Sequence, residues 1–113
     1  MSANTSAPLA NPRIRAARSA RAGEVVEIRT LMEHPMETGL RQEGGRSVPR
    51  DMLTRMAVRL NGEALLEAEF RNGTAANPFH VFFVRIERAS ELEFTWTDEA
   101  GRTARAVHRI ILA

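Results

Sequence analysis

Between Glu24 and Leu112 apolar residues recur at every second position in one short segment after another. No segment carries the i, i+3, i+4 spacing of an amphipathic helix convincingly, and this period of two is what most restricts the fold. In Glu24–Met32 the residues Val26, Ile28 and Met32 fall on one side, with Glu27 and Arg29 on the other. Met52–Leu60 places Thr54, Met56, Val58 and Leu60 together. Asn61-Gly62 follows, a dipeptide suited to the positive φ angles of a tight hairpin. Glu63–Phe70 contains helix-favouring residues, but the adjacent turn favours a returning strand with Leu66, Ala68 and Phe70 inward. Phe79–Glu87 is apolar on both faces: Phe82, Val84 and Ile86 on one, Val81 and Phe83 on the other. Such a strand wants a partner on its second side. Glu91–Asp98 alternates cleanly, with Leu92, Phe94 and Trp96 inward. Arg102–Ala113 loses its phase around Ala106–Ile110, where a bulge is expected. With a weaker strand at 13–18, the pattern predicts an all-β, immunoglobulin-like antiparallel β-sandwich of about seven strands.

The 113 residues suffice for one domain, expected over 13–113 behind a small, polar, proline-containing tail at 1–12. With no cysteine there is no disulfide, thiolate metal site or sulfur nucleophile on these residues. The pI of 10.8 suggests nucleic-acid binding more strongly than the charge does. All sixteen basic residues are arginine, so nothing titrates between histidine and arginine and a formal charge of only +2 persists to high pH. The arginines are scattered among glutamates, without a basic block. Most aromatics are needed in the core, so no nucleic-acid partner is expected. No apolar run approaches the ~18 residues of a membrane span, and the N-terminus does not read as a secretory signal.

The long connection 33–50 holds Pro35, Gly39, Gly44, Gly45 and Pro49, and irregular loops of this length tend to be functional or disordered. It begins with LMEHPMETG. In an extended segment Met32, His34 and Met36 would point to one side, and thioethers with an imidazole can hold Cu(I). A small copper-handling protein is therefore the alternative reading, against the simpler one of Met32 and Met36 as flexible filler. Glu33, His34 and Glu37 offer acid–base groups, yet neighbours in sequence rarely face each other, and no serine has a nucleophile's context. Catalysis is not expected.

Three stretches carry a resemblance: GEVVEIRTLMEHPMETGLR at 23–41, ANPF at 76–79 and FTWTDEAG at 94–101. Together they resemble the SoxZ family, the small subunit of the SoxYZ carrier of bacterial thiosulfate oxidation. The run His34-Pro35-Met36-Glu37-Thr38-Gly39 followed by Arg41 is the most distinctive part, and the likeness spans about 13–113. It implies an immunoglobulin-like sandwich that is not an enzyme and needs no cofactor. It implies a heterodimer with SoxY, whose arm cysteine carries the sulfur intermediates, and transient contact with other periplasmic Sox enzymes. It also implies periplasmic localisation, by export as a folded complex with SoxY. On this reading the partner-binding residues are Met32, His34, Pro35, Met36, Glu37, Thr38 and Arg41 in the loop, with Val81 and Phe83 on the two-faced strand. Arg29 and Arg41 could attract a sulfonate group. With that apolar face uncovered, the isolated chain could self-associate.

Overall fold

The computed structural model describes residues 8–113, and among them there are ten strands and no helix. They are β1 (Arg13–Arg15), β2 (Ser19–Ala20), β3 (Glu24–Leu31), β4 (Gln42–Glu43), β5 (Arg46–Ser47), β6 (Leu53–Leu60), β7 (Glu63–Glu69), β8 (Phe79–Ile86), β9 (Ser90–Asp98) and β10 (Thr103–Leu112). Two sheets form the sandwich: a three-stranded sheet in the order β1-β3-β8, and a five-stranded one in the order β2-β10-β9-β6-β7. Neighbours run antiparallel except for the short parallel β10–β2 pair. The expected tail at 1–12 falls partly on residues 1–7, outside the described residues; Leu9 packs against the core.

The alternation read from sequence sets the layers. Val26, Ile28 and Thr30 from one sheet, with Met32 just past the end of β3, face Met56, Val58, Leu92, Phe94 and Trp96 from the other, all buried. Phe94 stacks on Trp96 with centroids 6.1 Å apart, and Phe82 reaches across to Phe94 at 6.4 Å in a tilted arrangement. Both separations lie in the favourable range for aromatic pairs. Asn61 and Gly62, at φ 51° and 85°, make the tight turn between β6 and β7.

Two local expectations are corrected. The bulge expected at Ala106–Ile110 is absent: Thr103–Ile110 pairs with Ser90–Thr97 without interruption. The phase looked blurred because its inward positions are held by Ala104, Ala106 and His108, which carry little hydrophobic signal. The connection 33–50 is also less irregular than expected. It contains the small β4–β5 hairpin, turning at Gly44 and Gly45 with φ 60° and 78°. Two-residue strands are too short to show a period.

Candidate functional site

Two regions hold the residues singled out by sequence: the loop after β3 and the outer face of the three-stranded sheet. In the loop, Met32, His34 and Met36 do share one side, as the alternation implies. That side is the interior. Met32 is fully buried, and His34 and Met36 nearly so, while Glu33 and Pro35 face solvent. The three therefore anchor the loop rather than present it.

His34 organises the segment. Its backbone N–H donates to Asn77 Oδ1 at 3.0 Å, and its carbonyl accepts from Asn77 N–H at 2.8 Å. Asn77 adopts φ 53°, a region that asparagine tolerates better than most residues. The ring's Nδ1 accepts the Met36 N–H at 3.0 Å. That bond assigns the proton of the neutral ring to Nε2, which lies 3.2 Å from Asp51 Oδ1 in an electrostatic contact outside hydrogen-bond alignment. Met36 itself sits at φ 51°, an uncommon conformation for a non-glycine residue, and the His34 acceptor helps hold it there.

Asp51 ties the loop to the entry of β6. It exchanges two backbone bonds with Glu37, each 2.8 Å. Its Oδ1 also meets Arg102 Nη2 at 3.2 Å, and Arg102 Nε reaches Asp98 Oδ2 at 2.5 Å. Burial lowers the His34 pKa below the usual imidazole value; the nearby Asp51 carboxylate opposes that shift without reversing it. Farther out, Arg41 forks onto Glu37, with Nη2 to Oε2 at 2.7 Å, and also contacts Glu43 at 3.0 Å. The Arg41 bonds hold the Glu37 carboxyl below its ordinary range. Thr38 Oγ1 accepts the Leu40 N–H, and its carbonyl accepts from Arg50 Nη1 at 2.9 Å. Gly39 is required by its backbone: φ is 88°, and a Cβ there would lie 3.3 Å from Arg50 Cβ.

This geometry is adverse to the copper reading. Nδ1 is occupied by a backbone donor, and a metal at Nε2 would have to displace the proton and stand beside Arg102. Sequence reasoning missed Asp51, Asp98 and Arg102. The Asp98–Arg102 spacing around the turn at Gly101 was a usable local signal; Asp51 carried none.

The second region differs in character. Phe79, Val81 and Phe83 project from β8 onto the outer face, 56%, 43% and 64% exposed. Val25 and Leu31 of β3 extend the patch, Leu31 directly opposite Phe79. Val81 and Phe83 are thus where the pattern placed them, well separated from the buried side chains of the loop. β8 is also a sheet edge, eight residues long, with no proline and with Arg85 as its one arginine. The outer face of the five-stranded sheet instead carries ion pairs: Arg55–Glu67, Arg105–Glu93 and Arg109–Glu91. Leu65 and Val107 stand among these charges.

Among solved structures, the fold is similar to a superoxide reductase (neelaredoxin) from Ignicoccus hospitalis. The TM-score is 0.73 at 17% identity, covering 99% of this chain and 88% of that one. It is also similar to the sulfur carrier protein SoxY from Chlorobium limicola f thiosulfatophilum, with TM-score 0.64 at 13% identity, covering 94% and 84%. A putative superoxide reductase from Thermotoga maritima gives a TM-score of 0.66 at 11% identity, covering 90% and 85%. At such identities these likenesses establish the β-sandwich fold alone. No curated protein matches the chain. The sequence pattern of the sulphur oxidation protein SoxZ matches residues 14–109, and with the sandwich and its HPMETG loop in place the chain belongs to the SoxZ family, with a role in the Sox system of sulfur oxidation.

Proposed function

We propose that this chain is the non-catalytic subunit of a SoxYZ sulfur carrier. It binds SoxY, whose arm cysteine carries the sulfur intermediates, and meets other Sox enzymes through that complex in the periplasm. The observation that carries the reading is the contrast between the two outer faces. One carries Arg–Glu pairs along its strands; the other also holds Arg29–Glu27 and Arg13–Glu33 but exposes Val25, Phe79, Val81 and Phe83 together beside an unpaired strand edge. An apolar face with an open edge is the kind of surface a protein partner covers, by packing, by added strand pairing, or both. When SoxY is absent, the same face could join copies of this chain.

The loop chemistry supports carriage over catalysis. His34, the best placed acid–base group, has one nitrogen committed to Met36 and the other turned to Asp51 inside the structure. The lack of cysteine suits a subunit that holds a thiol-bearing partner, because a second thiol could capture the arm in a mixed disulfide.

The test is co-purification with SoxY, followed by size measurement and intact mass. A stable heterodimer is expected, with sulfur-containing mass on the partner only. Burying a phenylalanine contributes about 1.5–3 kcal/mol. Phe83→Arg should therefore weaken the heterodimer by roughly tenfold or more. A Phe83→Arg chain that binds as well as the parent would overturn docking on this face. Turnover of a sulfur compound by the purified chain alone would overturn the carrier reading.

A further inference from the structure

One corner of the apolar face is charged in a way that its own neighbours do not balance. Arg15 of β1 lies directly opposite Arg29 of β3, and Val81 of β8 continues the same row. In the next row Arg13, Leu31 and Phe79 stand side by side. Like charges directly opposite each other across a strand pair are destabilising. Arg29 is offset by Glu27, with Nε to Oε1 at 2.5 Å, and Arg13 by Glu33 at 3.0 Å. Among the described residues the Arg15 side chain has neither an ion pair nor a hydrogen bond. The corner forms a trough of about 300 Å³ lined by Arg13, Arg15, Arg29, Thr30, Leu31 and Phe79. An exposed guanidinium pair over an apolar floor suits a carboxylate, which both forks can grip with charge-assisted bonds.

We propose that this trough receives an aspartate or glutamate side chain of SoxY, which fixes the register of the partner on the apolar face. The inference rests on the docking reading above and adds the chemistry of one contact. Phe79, Val81 and Phe83 supply non-directional burial, which does not by itself select one sliding position along β8. A carboxylate seated between Arg15 and Arg29 does select one, and it also steers the encounter. The occupant is a carboxylate of the partner's surface rather than its sulfur cargo because the trough adjoins the docking patch, so the contact exists whether or not the thiol is loaded.

The test measures association kinetics between SoxY, with its thiol free and separately with an oxidised sulfur group on that thiol, and the parent chain, R15A, R29A, the double variant R15A/R29A and Phe83→Arg, at low and high salt. The double variant is expected to associate about tenfold more slowly at low salt and to lose much of the salt dependence. Its thermal melt should change little, since relief of the like-charge pair offsets loss of the exposed Arg29–Glu27 ion pair. Unchanged rates and salt dependence in R15A/R29A, while Phe83→Arg still impairs binding, would overturn the carboxylate contact and leave the docking face intact. Normal binding by Phe83→Arg would instead remove the docking reading. An effect of R15A/R29A confined to SoxY bearing an oxidised sulfur group would assign the trough to cargo and likewise overturn this proposal.

Discussion

Replacing His34 by leucine tests the loop's construction most directly. Leucine fills much of the ring's volume, so the cavity contribution is small and the hydrogen-bond contribution dominates. The Met36 N–H loses its acceptor at 3.0 Å, the only one among the described residues, while remaining buried. Leaving a buried donor unsatisfied costs about 1–3 kcal/mol. Asp51 keeps Arg102 as a partner, so no uncompensated carboxylate charge is added. With relaxation of the left-handed Met36 backbone, the expected total is about 2–3 kcal/mol. For a domain near this size that corresponds to a Tm lower by roughly 8–20 °C. His34→Asn should lose less, because an asparagine oxygen can accept the N–H two residues on. Denaturant titration of both variants gives the comparison. A leucine variant within about 0.5 kcal/mol of the parent would refute the reasoning. So would a larger loss in the asparagine variant than in the leucine variant, which would make ring volume rather than the acceptor the cause.

Burial of the same ring gives the sign of the pH dependence. The His34 pKa is lower folded than unfolded, so the unfolded chain takes up the proton first as pH falls. The stability from neutral His34 is fully present above the ordinary imidazole value of about 6.5 and is lost as pH drops through and below it. Protonation converts Nδ1 from acceptor to donor against the Met36 N–H. His80, also lowered by burial, contributes a background in the same direction that remains in His34→Leu. The parent should therefore lose more stability than the leucine variant between neutral and mildly acidic pH.

Gly39→Ala should cost about 1–2 kcal/mol from its φ of 88°, with a further loss from the approach to Arg50. Gly101→Ala, at φ 87° with open space around it, should cost only the conformational part, and chemical denaturation of the pair will separate the two contributions. Trp96→Ala, fully buried between the sheets, should cost about 3–5 kcal/mol, measured by the same titration.

The sandwich was legible because its central strands bury one face completely. Val26 and Ile28 in β3, and Leu92, Phe94 and Trp96 in β9, write the period of two directly into the sequence. Where inward positions are alanine or histidine, as in β10, the same backbone leaves a weaker trace. In the loop, the common side of Met32, His34 and Met36 could be read from spacing, but which side faced the core could not. That depended on Asn77 and Asp51, brought in from other segments. The exposed face was legible for a simpler reason: Val81 and Phe83 put apolar residues on the second side of a strand already committed on its first.

The loop and the face consequently answer to different physical demands. A non-regular segment that turns inward must find a partner for each buried backbone group, and here His34, Asn77, Glu37 and Asp51 meet that demand with bonds in fixed positions. Its residue pattern is therefore specific even if no other protein touches it. The face needs only apolar surface of suitable shape, for which many side chains serve. It follows that a loop substitution such as His34→Leu acts first on folding, and any apparent loss of SoxY binding must be divided by the folded fraction before it counts as a contact. A face substitution such as Phe83→Arg starts from an exposed side chain and should weaken binding with the melt unchanged. If loop variants, once so corrected, still bind as poorly as Phe83→Arg, then Pro35, Thr38 or Arg41 touches the partner after all, and the interface extends from the sheet to the loop.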